Sequence, residues 1–167
     1  MTLIELIDDS AQQLTVAQVV FGHGTTNAFD EAAWLVLWSL GLPLDTALEG
    51  PDSQANRAVS SAECAQTAIL LRQRIRTRKP AAYLTKEAWL QGVPFYVDER
   101  AIVPRSLIAE LLCDGSIDCW LKPDTRMVLD LCTGNGSLAV LAALNLPDVQ
   151  VLASDVSADA LAVARIN

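Results

Sequence analysis

Apolar residues in the first eighty positions recur with a helical period. Leu3, Leu6, Ile7, Leu14, Ala17 and Val20 fall mostly three, four or seven apart, as on one face of an amphipathic helix. Phe21-Gly22-His23-Gly24-Thr25 breaks the run. Asp30 and Glu31 open a second helix, Ala32 to Leu40, and Gly41-Leu42-Pro43 ends it. Trp34 and Trp38 are four apart on one face of that helix, which predicts core packing for both. Residues 45 to 59 are polar around Gly50-Pro51 and read as a loop. Ser60-Ser61-Ala62-Glu63 has the form of a capping box, with Ser60 capping backbone N–H groups and Glu63 reaching back. It starts a third helix that runs to about Lys79. Pro80 stops that helix by excluding helical backbone at the residue before it.

From Tyr83 the period changes. Trp89-Leu90-Gln91 and Phe95-Tyr96-Val97, around Gly92 and Pro94, predict a β-hairpin. Ile102-Val103-Pro104-Arg105 leads into a helix from Leu107 to Leu112, and Asp114 to Pro123 is a connector. An apolar run, Met127 to Leu131, then stops in the turn Cys132-Thr133-Gly134-Asn135-Gly136, followed by an Ala/Leu-rich helix from Ser137 to Leu146. A second run, Gln150 to Ser154, ends at Asp155, 25 residues after Asp130. Strand, glycine turn, helix, strand and acid is the layout of a nucleotide-type cofactor site in a doubly wound parallel sheet. The glycines let backbone approach the ligand, and the acid can grip ribose hydroxyls.

Composition narrows the classes. The chain has 167 residues, 51% of them hydrophobic and 19% charged, which fits a globular protein. Ala32 to Trp38 and Leu138 to Leu144 are far short of the roughly 18 apolar residues a membrane span needs, so no membrane association is expected. Met-Thr-Leu-Ile-Glu has no basic region ahead of an apolar one and does not read as a signal peptide. Cys64, Cys113, Cys119 and Cys132 form no C-x-x-C pair, and His23 is the only histidine, so no metal site is expected and a reduced, cytoplasmic setting fits.

The net charge of −8 argues against direct nucleic-acid binding. Arg72, Arg74, Arg76, Arg78 and Lys79 are a local exception. On a helix, 72, 76 and 79 share one face and 74 and 78 another; both read as a solvated helix end suited to the dipole there.

Several motifs together resemble one family. Phe95-Tyr96-Val97-Asp98-Glu99-Arg100, followed by Val103-Pro104-Arg105-Ser106 and Glu110, resembles the segment before the cofactor domain of HemK-type protein-glutamine N5-methyltransferases. Leu129-Asp130-Leu131-Cys132-Thr133-Gly134-Asn135-Gly136 resembles their S-adenosylmethionine loop, and Ser154-Asp155-Val156-Ser157 their ribose-binding acid and turn. The resemblance implies an α/β chain in three parts. These are a helical substrate-recognition domain over 1–80, a hairpin linker over 81–103, and the first part of a Rossmann-like methyltransferase domain over 104–167. Gly22-His23-Gly24-Thr25-Thr26-Asn27, Asp30-Glu31-Ala32 and Leu42-Pro43-Leu44 resemble the subgroup that methylates a glutamine on the third protein of the large ribosomal subunit. Pro104-Arg105-Ser106 and Ile108-Ala109-Glu110 depart from the Pro-Arg-Pro and acidic Glu/Asp-Thr-Glu usual in the release-factor subgroup, the alternative.

By that resemblance Asp130 anchors the loop or the methionine ammonium. Gly134 and Gly136 permit close approach, Thr133 and Asn135 supply backbone and side-chain contacts, and Asp155 accepts both ribose hydroxyls. Phe95 and Arg105 are further candidates for the cofactor wall. Cys132 stands where many methyltransferases have the first loop glycine, which requires a backbone that tolerates a Cβ there. It reads as a small loop residue rather than a nucleophile. Asp155 has a second reading as a helix N-cap, though Ser157 suits that place better. His23, between two glycines, reads as a loop or contact residue, since methyl transfer from a sulfonium needs no histidine.

The family's substrate motif, Asn-Pro-Pro-Tyr, orients the glutamine amide. None of the five asparagines here precedes a proline. The chain is therefore expected to stop ahead of the motif, with no catalytic residue of its own, and to keep only donor-binding and recognition parts. Two other classes compete: a non-catalytic module that binds the ribosomal protein, and a fragment of a nicotinamide dehydrogenase. For the latter the fingerprint reads Gly134-Asn135-Gly136-Ser137-Leu138-Ala139, with Ala in the last place. With two strands encoded, Val128, Leu129, Leu131, Val149, Val151 and Leu152 are expected to leave apolar surface open, and residues after about Lys122 to be ordered by self-association or a neighbouring chain.

Overall fold

The computed structural model describes residues 1–167, which form two compact units, Met1–Thr85 and Lys86–Asn167. The first unit is helical: α1 (Leu3–Val16), α2 (Ala28–Ser39), α3 (Ser61–Thr77) and a short α4 (Ala81–Thr85). The second contains the antiparallel pair β1 (Glu87–Leu90) and β2 (Val93–Tyr96). It continues through α5 (Ile108–Cys113), a 3₁₀ turn (Ser116–Trp120), β3 (Met127–Leu131), α6 (Ser137–Asn145), β4 (Gln150–Ser154) and α7 (Ala158–Ala164). The chain is thus α/β, and β3–α6–β4 is a Rossmann-like unit.

Local chemistry accounts for the helix ends in the first unit. α1 starts in a capping box: Thr2 Oγ1 accepts from the Glu5 N–H, and the Thr2 N–H donates to Glu5 Oε2. It ends at Val16 and does not reach Val20. Gln18 takes a left-handed conformation (φ 52°), the Val19 N–H turns back to the Leu14 carbonyl, and Val20 is left exposed. α2 starts four residues before Ala32, because Asn27 Oδ1 accepts from the Asp30 N–H and so serves as the N-cap. The Ser60–Glu63 capping box is present, and Arg57 adds an ion pair to the Glu63 carboxylate at 2.6 Å. Led by the Ser60 backbone N–H, these donors hold the Glu63 carboxyl down at about 2.

Leu3, Ile7 and Leu14 of α1 pack with Ala32, Leu35 and Val36 of α2, Leu70 and Leu71 of α3, and Ala81. Trp34 joins this core, but Trp38 does not and lies partly exposed. The arginine run is also not uniformly solvated. The Arg74 side chain is 4% exposed, and its Nε donates to Glu31 Oε1 at 2.7 Å. Its Nη2 reaches the Val20 carbonyl, and Thr25 Oγ1 donates to Glu31 Oε2. One buried ion pair therefore ties α3 to α2 and to both sides of the glycine-rich loop that carries the exposed His23.

In the second unit Gln91 and Gly92 both have positive φ (51° and 74°), as a tight two-residue hairpin turn requires. They set the register Leu90↔Val93 through Glu87↔Tyr96. β3 and β4 pair in parallel, Val128 opposite Val151 and Leu129 opposite Leu152. α6 connects the two strands and contributes Leu141 and Ala142 to a core with Phe95, Ala109, Leu112 and, at its margin, Val151. Val128, Val149 and Val151 are half-buried rather than open. Met127, Leu129, Leu131 and Leu152 are exposed, and strand alternation places all four on the other face of the pair.

Candidate functional site

Three consecutive demands shape the turn after β3. Cys132, Gly134 and Gly136 all have left-handed φ (64°, 57° and 82°), so the chain reverses within five residues. Cys132 is the one that carries a Cβ in this conformation. At Gly136 a Cβ would lie 3.0 Å from the Ala164 Cβ and 3.3 Å from the Ala164 Cα of α7, so α7 would have to give way by a few tenths of an ångström. At Gly134 the nearest atom is Ile102 Cγ2 at 3.9 Å, an ordinary contact. The two glycines therefore serve different ends. Gly136 lets α7 approach the turn, and Gly134 keeps backbone open beside Ile102.

Hydrogen bonds fix the turn. The Thr133 N–H donates to the Ser154 carbonyl at 2.9 Å, joining the ends of both strands. Thr133 Oγ1 donates to Asp130 Oδ2. The Gly134 N–H donates to Asp155 Oδ2 at 2.9 Å, and the Ser157 N–H donates to Asp155 Oδ1 at the same distance. These N–H groups, Ser157 first and Gly134 second, hold the Asp155 carboxyl below the usual carboxylate range. Ser157 Oγ, not Asp155, accepts from the Ala160 N–H and caps α7. Both Asp155 oxygens already take one backbone bond, so its expected grip on two ribose hydroxyls is left to the remaining lone pairs.

A cavity of about 290 Å³ opens at the carboxyl end of β3. Asp130, Cys132, Thr133, Gly134 and Asn135 form one side, and Ile102, Val103, Pro104, Arg105 and Ser106 the other, with Ser137 and Leu138 at the start of α6. Asn135 is 3% exposed; its Oδ1 accepts from the Ser137 N–H, while its Nδ2 is buried without a partner. No side chain caps the start of α6 at Gly136. A larger cavity, about 580 Å³, is lined by Lys122, Arg126, Asn145 and Asp148 at the opposite, amino ends of the strands. Ligands of parallel sheets sit at the carboxyl ends, so the smaller cavity is the candidate.

Of the residues singled out in the sequence, Asp130, Cys132, Thr133, Gly134, Asn135 and Arg105 meet at this cavity. Asp155 stands behind Gly134, touching it through one hydrogen bond, and Gly136 is buried under α7. Phe95 is not brought to the cavity. The residue is 3% exposed and packs with Ala109, Leu112 and Leu141, because β2 turns that face of the hairpin into the core. Sequence reasoning missed Asn167, whose side chain bonds Asn135 and Tyr96.

Residues 117–167 match the family described as the methyltransferase small domain. Over 99% of its length the chain is 48% identical to the ribosomal protein uL3 glutamine methyltransferase of Burkholderia pseudomallei, of which it covers 53%. It is likewise 48% identical to that of Bordetella pertussis and 44% identical to that of Neisseria meningitidis serogroup B, covering 55% and 54% of those proteins. Along almost its whole length the chain is similar to these methyltransferases. It spans about half the length of the curated relatives it matches. The glycine turn lies within the segment that matches the methyltransferase small domain. No helix of the chain is long and apolar enough to cross a membrane.

Proposed function

We propose that the chain carries the donor-binding and recognition parts of an enzyme that methylates a glutamine side-chain amide of the large-subunit ribosomal protein uL3. The names of its relatives support the substrate. The observation that carries the donor assignment is the turn at the carboxyl end of β3, where Asp130 and Gly134 line a cavity and Asp155 fixes the Gly134 N–H. The residues fit S-adenosylmethionine on that ground. Asp130 would offer a carboxylate to an ammonium, and Gly134 presents no side chain to the cavity. Asp155 holds Gly134 in place and keeps a lone pair on each oxygen for a ribose. Arg105 walls the opposite side. The helical unit is the recognition part, and the setting is cytoplasmic, where ribosomal proteins are modified.

Bound S-adenosylmethionine supplies an electrophilic methyl group on a sulfonium sulfur. The acceptor is a weak nucleophile, because the amide lone pair is delocalised into its carbonyl. Transfer therefore depends on holding the nitrogen in line with the methyl carbon at contact distance. Residues of this chain hold the donor end of that line. They include no Asn-Pro-Pro-Tyr to accept hydrogen bonds from the amide N–H groups and stabilise the nitrogen's developing positive charge.

Two outcomes follow for the 167-residue chain. Titration calorimetry with S-adenosylhomocysteine shows saturable, one-site binding, and NAD at the same concentrations shows none. Binding of NAD in preference to S-adenosylhomocysteine sinks the donor assignment in favour of a dehydrogenase fragment. Incubation with radiolabelled S-adenosylmethionine and purified uL3 transfers no label above a no-enzyme control. Transfer at an enzymatic rate means that the acceptor machinery has been sought in the wrong residues.

A further inference from the structure

The last residue of α7's trailing turn makes contacts that the donor assignment does not use. Asn167 Oδ1 accepts from the Tyr96 N–H at 2.8 Å, and Asn167 Nδ2 donates to the Tyr96 carbonyl at 3.1 Å. The side-chain amide therefore pairs with the edge of β2 as a neighbouring strand's peptide does. The same Nδ2 donates to the Asn135 carbonyl at 2.7 Å. One short side chain thus bridges the hairpin and the glycine turn, 71 and 32 residues away.

Both ends of this bridge lead to the cavity. Asn135 lines it within the glycine turn, and its Oδ1 accepts from the Ser137 N–H at the start of α6. Tyr96 starts the other wall. Its hydroxyl donates to Asp98 Oδ2, and Arg100 holds the same carboxylate through Nε and Nη2 at 2.7 to 3.1 Å. The chain then passes directly into Ile102–Ser106, the wall facing the turn. The close approach of Ala164 to Gly136 brings α7's end to this place.

We infer that Asn167 is a positioning residue for the methyl donor, holding the glycine turn and the hairpin-derived wall at a fixed separation. The inference rests on the donor-site reading above. Asn167 touches neither cavity surface in the binding role. It acts through the Asn135 peptide and through Tyr96. Its two donated bonds are the part of the bridge that an isosteric carboxylate cannot make, since an ionised Asp has no hydrogen to give and sets a negative oxygen against two carbonyls.

Calorimetry with S-adenosylhomocysteine on the wild-type chain, Asn167→Ala and Asn167→Asp tests this, with amide hydrogen exchange as the measure of folding. At pH 7.5 both variants bind at least tenfold more weakly than wild type. Exchange quickens at residues 133–137 and 95–97 and is unchanged in α3. At pH 5 Asn167→Asp regains affinity relative to wild type measured at the same pH. Its carboxyl, raised by the two facing carbonyls, takes up a proton and donates one bond. Asn167→Ala regains none. A space-filling role predicts that Asn167→Asp binds like wild type at pH 7.5, and that result overturns the inference. So does wild-type affinity in Asn167→Ala, or a loss of protection throughout β3 and β4 that leaves Asn167→Asp with no pH-dependent recovery. Failure of the wild-type chain to bind removes the donor-site reading itself, and this inference falls with it. Wild-type binding with unaffected variants removes the inference alone.

Discussion

Arg74→Ala destabilises the helical unit by about 3–5 kcal/mol, the usual cost of removing one partner of a buried ion pair. The variant leaves the Glu31 carboxylate, 2% exposed, with only the Thr25 hydroxyl, and frees the Val20 carbonyl. Native-state hydrogen exchange reads the effect by region. Protection in α2 and α3 falls by that amount, while β3 and β4 keep theirs. Adding Glu31→Gln to Arg74→Met recovers much of the loss, because no charge then stays buried alone. A loss below about 1 kcal/mol would mean that the pair is solvated like a surface bridge, contrary to its burial. The consequence is local but functional, since Arg74 and Glu31 fix Val20 and Thr25 on either side of the His23 loop in the proposed recognition unit.

Gly136→Val has the second large effect, in the other unit. The substituent is forced into left-handed backbone, about 1–3 kcal/mol, and against the Ala164 backbone, about another 1–3 kcal/mol of overpacking. Urea unfolding monitored in β3 and β4 shows a loss of roughly 2–6 kcal/mol, and binding of S-adenosylhomocysteine disappears with it. Gly134→Ala separates the two glycines. With its Cβ 3.9 Å from Ile102 it meets no clash, so it costs about 1–2 kcal/mol of conformational strain and leaves the unit folded. Its methyl nevertheless lies beside the cavity, and donor affinity drops about tenfold or more. Equal stability losses in Gly136→Val and Gly134→Ala would contradict the close packing of α7 on the turn.

Much of this arrangement was legible because its signals are local. Met127–Leu131 and Gln150–Ser154 are short apolar runs bounded by turn residues, and the structure places strands over the same residues. Ser60 and Glu63 sit three apart, and the capping box follows from that spacing alone. The equivalent box at Thr2 and Glu5 is just as local, with the same three-residue spacing. α1 seemed to run to Val20 because Ala17 and Val20 continue the period. The reversal at Gln18 depends on backbone that the apolar pattern does not encode.

Positions whose surroundings the sequence does not disclose depend on tertiary partners. Arg74 looks like its neighbours Arg72 and Arg76 until Glu31, 43 residues away, is brought beneath it. Phe95 carries a family signature, yet its burial is decided by α5 and α6, which pack on the hairpin. Asp155 stood out as the acid after a strand. That its oxygens bind the Gly134 and Ser157 N–H groups depends on how β4 aligns with β3. Asn167 offered no signal at all, since an asparagine after an Ala-rich helix reads as an ordinary helix end.

The central claim is that the cavity between the glycine turn and Ile102–Ser106 receives the methyl donor. Titrating the ¹⁵N-labelled chain with S-adenosylhomocysteine while following assigned amide resonances tests it most directly. The account predicts saturable shifts in the Asn135 side-chain amide and in the Gly134 and Ser157 backbone amides, with α3 unmoved. Shifts confined to the Lys122–Arg126 cavity at the other end of the strands, or none at millimolar donor, would contradict it.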